Sequence, residues 1–130
     1  MRRTTRWLVV CALLIAAHGA GTTAEDSRTL TGEFVWDQRG NRGELEAVFT
    51  ATGENSWDVD FHFTFRGSPH TYSGTAEGSL SQGALSGKVY NEGKKRTFTF
   101  RGNFEDGQFS GTHAEVEGKK KIDTGTLTLG

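Results

Sequence analysis

Cysteine, proline and methionine each occur once in this 130-residue chain. The lone cysteine, Cys11, has no partner, so no intramolecular disulfide can staple the fold. No Gly-x-Ser-x-Gly elbow and no phosphate-binding glycine loop occur, which removes two common signatures of hydrolases and nucleotide-binding proteins. Beyond residue 24 no apolar run approaches the roughly 20 residues of a membrane-spanning helix. No stretch there repeats with the 3.6-residue period of an amphipathic helix either. Pro69 is the single proline and no long polar linker is present, so a single domain is expected.

The first segment reads as a processing signal. Arg2, Arg3 and Arg6 precede an apolar run from Trp7 to Ala17, and small residues follow at Gly19, Ala20, Gly21 and Ala24. A basic start, a short apolar core and small residues near a cut define a secretory signal peptide. The expected organisation is therefore a signal peptide over 1–24 and a domain over 25–130, exported to the periplasm or beyond the cell. Removing the signal also removes Cys11, leaving a cysteine-free domain with 12 basic and 16 acidic residues. About 106 residues remain, enough to bury a core without cross-links.

What the domain has in quantity is alternation. From Trp57 to Arg66 every odd position is apolar and every even one polar. Successive side chains of a strand point to opposite faces, so this segment has one buried and one wet face. The same reading gives eight strands, at 28–36, 44–52, 57–66, 70–80, 84–90, 96–104, 108–116 and 122–129. Turn chemistry separates them, including Arg39-Gly40-Asn41-Arg42-Gly43, Gly53-Glu54-Asn55, Asn91-Glu92-Gly93 and Glu105-Asp106-Gly107. Glycine and asparagine tolerate the positive φ of tight hairpins. One phrase recurs: Phe63-Thr64-Phe65-Arg66-Gly67 and, 35 residues on, Phe98-Thr99-Phe100-Arg101-Gly102. Each copy leads to an aromatic-Ser-Gly-Thr strand, at Tyr72 and at Phe109.

The alternation turns Phe34, Trp36, Phe49, Trp57, Phe61, Phe63, Phe65, Tyr72, Phe98, Phe100, Phe104 and Phe109 inward, with Tyr90 outward. The outer face carries polar residues such as Asp60, His62, Thr64, Arg66, Thr75, Lys88 and Arg101. An outer-membrane barrel requires the reverse pattern. Glycines at 32, 74, 78, 87, 102, 111 and 125 share the inner face with the aromatics. Large and small residues side by side let a sheet coil into a small barrel. The expected fold is all-β, an eight-stranded antiparallel up-and-down meander closing as a barrel, with an open β-sandwich as the alternative.

Leu30-Thr31-Gly32-Glu33-Phe34 and the later aromatic-Ser-Gly-Thr segments resemble the strand openings of avidin-like barrels. That resemblance implies the barrel architecture over most of the domain. It extends to no set of biotin-binding residues, and the Gly-His-Asp of the family's late strand has no counterpart. Lipocalins and small secreted protease-inhibitor barrels are similar at the same architectural level.

In a meander, successive loops alternate between the two ends. The first, third, fifth and seventh loops bring Arg39, Arg42, Arg66, Lys94, Lys95, Arg96 and Lys119 to Lys121 to one mouth. The other end collects Glu25, Asp26, Glu54, Asp58, Glu105 and Asp106 against Arg28 alone. Clustered charge of one sign steers an opposite partner. A small apolar or amphiphilic anionic ligand is therefore expected at the basic mouth, held by Trp36, Phe65, Tyr72, Phe98, Arg39, Arg42 and Lys95. Alternatively, these cations solubilise loops and discourage edge pairing, and the domain is a protein-interaction or inhibitor module with a filled core.

Catalytic constellations are sparse. His113 shares parity with Glu115 and neighbours Asp123, a set that could hold a metal or act as a base. Ala114 and Val116 point instead to a bulge that turns His113 outward. No enzyme activity, metal or cofactor is expected, and the short Lys119–Lys121 run in an acidic domain does not argue for nucleic acid.

Overall fold

A computed structural model describes residues 27–37 and 40–130. The expected signal peptide, and Arg39 with it, lie outside the described residues. Eight strands follow in order: β1 Ser27–Trp36, β2 Asn41–Gly53, β3 Ser56–Phe65, β4 Ser68–Gly78, β5 Gly83–Asn91, β6 Arg96–Glu105, β7 Gln108–Glu117 and β8 Lys120–Leu129. Each pairs antiparallel with the next, and β8 returns to β1, giving a closed barrel. The open sandwich is thereby set aside. Across the closing seam Gly32 opposes Leu129 and Trp36 opposes Gly125. Backbone bonds between Thr31 and Gly130 extend that ladder by one rung. Among the described residues no helix is long and apolar enough to cross a membrane.

Closure without inner-face glycines would be blocked. A Cβ on Gly74 would sit 1.9 Å from the carbonyl oxygen of Lys88 on β5, and one on Gly125 would sit 1.8 Å from that of Val35 on β1. Coiled strands cross so closely at these points that only hydrogen fits, the usual meaning of glycine in a strand interior.

Among the described residues the interior is filled at one end only. Around the turns after β2, β4 and β6 the core is solid: Phe49, Phe109 and Leu129 are wholly buried, and Leu85 and Phe104 nearly so. Leu80, from the β4–β5 turn, folds inward as a stopper and is also buried. Two side chains pin that turn, Trp57 Nε1–H donating to Gly78 O at 2.9 Å and an Arg28 guanidinium N–H donating to Leu80 O at 3.3 Å. At the other end Phe63, Phe65 and Phe98 are only partly buried, packed against the core on one side and open on the other. The expected inward face is thus observed, and Tyr90 lies outside, 44% exposed.

Candidate functional site

The open end of the barrel holds a cavity of about 560 Å³. That volume lies within the ~300–1,000 Å³ typical of small-molecule sites. Its wall is mainly aromatic: Phe34, Trp36, Phe61, Phe63, Phe65, Tyr72, Phe98 and Phe100, with only Leu45, Val89 and Leu127 as aliphatic side chains. Phe100 contributes to the floor, with its ring centroid 5.1 Å from that of Phe61 and 6.4 Å from that of the buried Phe109 below. Asn41, Arg66, Ser68, His70, Lys94, Arg96, Thr99 and His113 supply the polar part of the described lining.

The rings touch in sequence around the wall. His70 stacks on Phe63 at 5.3 Å and Phe63 on Tyr72 at 5.8 Å. Tyr72 meets Phe98 edge to face at 5.6 Å, and Phe98 meets Trp36 in the same manner at 5.6 Å. Trp36 in turn lies 5.8 Å from His113. Stacked and edge-to-face pairs of this kind add about 0.5–1.5 kcal/mol each beyond their buried area. The wall is therefore held in shape before anything enters it.

Three cations reach the cavity, and they are not equivalent. Arg96 forms a bidentate pair with Glu115, with N···O distances of 2.9 and 2.8 Å. Its guanidinium also lies over the rings of Trp36 and Phe98, at 5.5 and 5.2 Å. Glu115 is held below the usual carboxylate range by that hydrogen-bonded guanidinium, and Arg96 is raised in turn. The pair is a neutral, fixed part of the wall. Arg66 lies over the Phe65 ring at 5.4 Å and, like Lys94, has no ion-pair partner among the described residues. The Asn91 side-chain oxygen accepts the Lys94 N–H at 2.8 Å, which sets the β5–β6 loop.

Of the residues expected at the mouth, Trp36, Phe65, Tyr72 and Phe98 line the cavity. Arg42 instead pairs with Glu33 at 3.4 Å, both side chains largely in solvent, and is not part of the lining. Lys95 occupies a turn position with φ of 54° and also stays off the wall. Arg66 was expected on the outer face of its strand. A φ of 53° ends the alternation there and carries it to the rim of the cavity.

His113 departs furthest from expectation. A bulge is present, but the extra residue is Thr124 on β8: His113 opposes Gly125 while Ala114 opposes Asp123. β7 keeps its alternation, so His113 points inward and joins the cavity wall. Its Nε2 lies 3.0 Å from Val35 O and its Nδ1 2.6 Å from Thr124 Oγ1. A carbonyl can only accept, so Nε2 carries a proton and the neutral ring takes the Thr124 hydroxyl proton at Nδ1. On protonation Nδ1–H would donate to that oxygen, and the hydroxyl would turn to His113 O, 3.0 Å away. The histidine thus clasps β1, β7 and β8 at the seam. The suggested grouping of His113, Glu115 and Asp123 does not form. Among the described residues no set of three or more His, Cys, Asp or Glu side chains is placed to hold a metal.

Burial pulls the His113 pKa below its ordinary value, outweighing the opposing pull of the Val35 hydrogen bond and the Asp37 carboxylate. The unfolded ring titrates near 6.5. The folded ring resists the proton that the unfolded chain accepts, so its contribution is present above pH ~6.5 and is lost as pH falls through the folded value. Between pH 8 and 5 the melting temperature of the wild type should fall more than that of His113→Gln. Parallel curves would contradict the buried neutral ring.

No family model matches the chain, and no curated protein matches its sequence.

Proposed function

We propose that this protein is an exported, non-catalytic barrel that binds a small amphiphilic anion, its apolar body in the cavity and its charge at the rim. The observation that carries this reading is the asymmetry of the interior: one half packed solid, the other a ~560 Å³ apolar hollow with Arg66 and Lys94 beside it. A filled-core interaction module has no use for such a hollow. Two of the polar groups that line it are already committed: Arg96 to Glu115, and His113 to Thr124 and Val35. Such committed groups fit a wall that shapes and orients a guest better than one that transforms it. Export is supported by the signal-like residues Arg2 to Ala24, and a mouth cation steers an anionic guest toward the opening.

Titration with decanoate, followed by calorimetry, tests this reading. Saturable one-site binding is expected, with decanol weaker. Changing Arg66 and Lys94 together to glutamine should weaken decanoate by about tenfold, as expected for two partly solvated ion contacts, and leave decanol unaltered. Absence of saturable binding by any amphiphilic anion, or equal binding of acid and alcohol by both proteins, would overturn it.

A further inference from the structure

We infer that the cavity selects planar aromatic anions of a few fused rings over flexible aliphatic ones. This inference rests on the cavity being a ligand site and specifies which chemistry that site takes. Eight Phe, Tyr and Trp side chains line the hollow against three aliphatic ones. A cavity adapted to alkyl chains needs yielding, unbranched or branched aliphatic walls, whereas this one is built of flat plates already braced against each other. Phe63 is stacked between His70 and Tyr72, at interplanar angles of 23° and 21°. Phe98 stands nearly perpendicular to both Tyr72 and Trp36, at 75° and 70°. The wall rings thus stand at several fixed angles, so a guest ring held among them meets some by offset stacking and others edge to face.

Two further features point the same way. Arg96 is held by Glu115 against Trp36 and Phe98, so its charge is offset and it adds no free cation to the aromatic wall. A planar guest keeps the anion on its edge, where it can reach Arg66 or Lys94 at the rim while its faces meet the wall. Confinement also differs between the two guests. An alkyl chain loses rotational freedom about each bond on entry, and a fused ring system has none to lose.

The experiment compares 2-naphthoate with decanoate, two carboxylates of about equal carbon number, by calorimetry on the whole domain. Naphthoate should bind at least about tenfold more tightly, and its ultraviolet band should gain induced circular dichroism from the ordered wall. In Phe98→Leu, which keeps an apolar side chain and removes a ring, the naphthoate advantage should shrink severalfold while decanoate affinity stays nearly constant. The circular dichroism of the wild-type complex provides a readout that does not depend on the variant folding. Equal or stronger binding of decanoate would overturn the aromatic preference and leave the amphiphile reading intact. A naphthoate advantage unchanged in Phe98→Leu, or bound naphthoate with no induced signal, would also overturn it. If neither carboxylate binds, both readings fall together.

Discussion

Phe109→Ala is expected to destabilise the barrel by about 3–5 kcal/mol, the range for emptying a fully buried aromatic site. Phe109 has no solvent exposure and packs against Phe104 and Phe100, with ring centroids 5.6 and 6.4 Å away. Neighbours on a coiled sheet cannot close in, because glycines already bring the strands to contact distance: a Cβ on Gly102 would lie 2.1 Å from Ser110 O. The void would remain. For a domain of about 100 residues each kcal/mol lowers the melting temperature by roughly 4–8 °C, so a fall of about 12 °C or more should be seen by calorimetry. Phe98→Ala supplies the contrast. Phe98 already borders open space on the cavity side, so its removal enlarges a hollow instead of creating one and should cost less than half as much. Equal losses would mean that the two halves of the barrel are not packed differently.

Gly74→Ala should be worse than its single methyl suggests. The new Cβ would lie 1.9 Å from Lys88 O and 2.9 Å from Val89 Cα, both backbone atoms of β5. No side chain can rotate away, so β4 and β5 must separate where Ser73 opposes Tyr90 and Gly74 opposes Val89. Overpacking usually costs about 1–3 kcal/mol, and a clash with a neighbouring backbone belongs at the top of that range or above it. The expected result is loss of most cooperative unfolding, or failure to accumulate soluble protein. Gly53→Ala is the control. Its Cβ would meet only Ser56, at 3.8 Å, and stability should change by no more than about 0.5 kcal/mol, as for ordinary surface changes. A stable Gly74→Ala protein would refute the account of glycine as the residue that lets this barrel coil.

The strands were legible because the rule behind them is local. From Trp57 to Phe65 the alternation needs only the period of the pleat, and β3 is observed at Ser56–Phe65. The glycines were legible for a related reason, since beside Tyr72 and Phe109 they break that pattern in a way that only curvature explains. The cavity was not. Whether an inward Phe fills space or lines it depends on which rung it occupies and on what crosses the barrel from the far wall. Phe49 and Phe63 read alike in sequence and end in opposite halves. Leu80 was assigned to the strand end, and it became the stopper only because the turn after β4 folds inward.

The site residues divide along the same line. Of the residues expected at the mouth, Trp36, Phe65, Tyr72 and Phe98 follow from parity alone as part of the cavity wall. Arg42 and Lys95 were picked by proximity to a loop, which says nothing about direction, and Arg42 turned to Glu33. Arg66 is placed at the mouth by its loop, but its turn from the outer face to the cavity rim depends on a positive φ, invisible in composition, that ends its strand. His113 was missed because a bulge was assigned to β7 when the extra residue lies on β8. Thr124, buried beside Gly125 with its hydroxyl on His113 Nδ1, marks the bulge in the structure, and nothing in the sequence around it sets it apart.

A barrel that is solid below and hollow above separates two kinds of constraint along one axis. Substitutions around Phe49, Phe109 and Leu129 touch the packed core alone, whereas those around Phe63, Phe65 and Phe98 touch the wall of the hollow first and the core second. The rim can therefore be rewritten while the base stays as it is. Such a cup could be re-lined by design, or diversify among relatives, with little risk of unfolding.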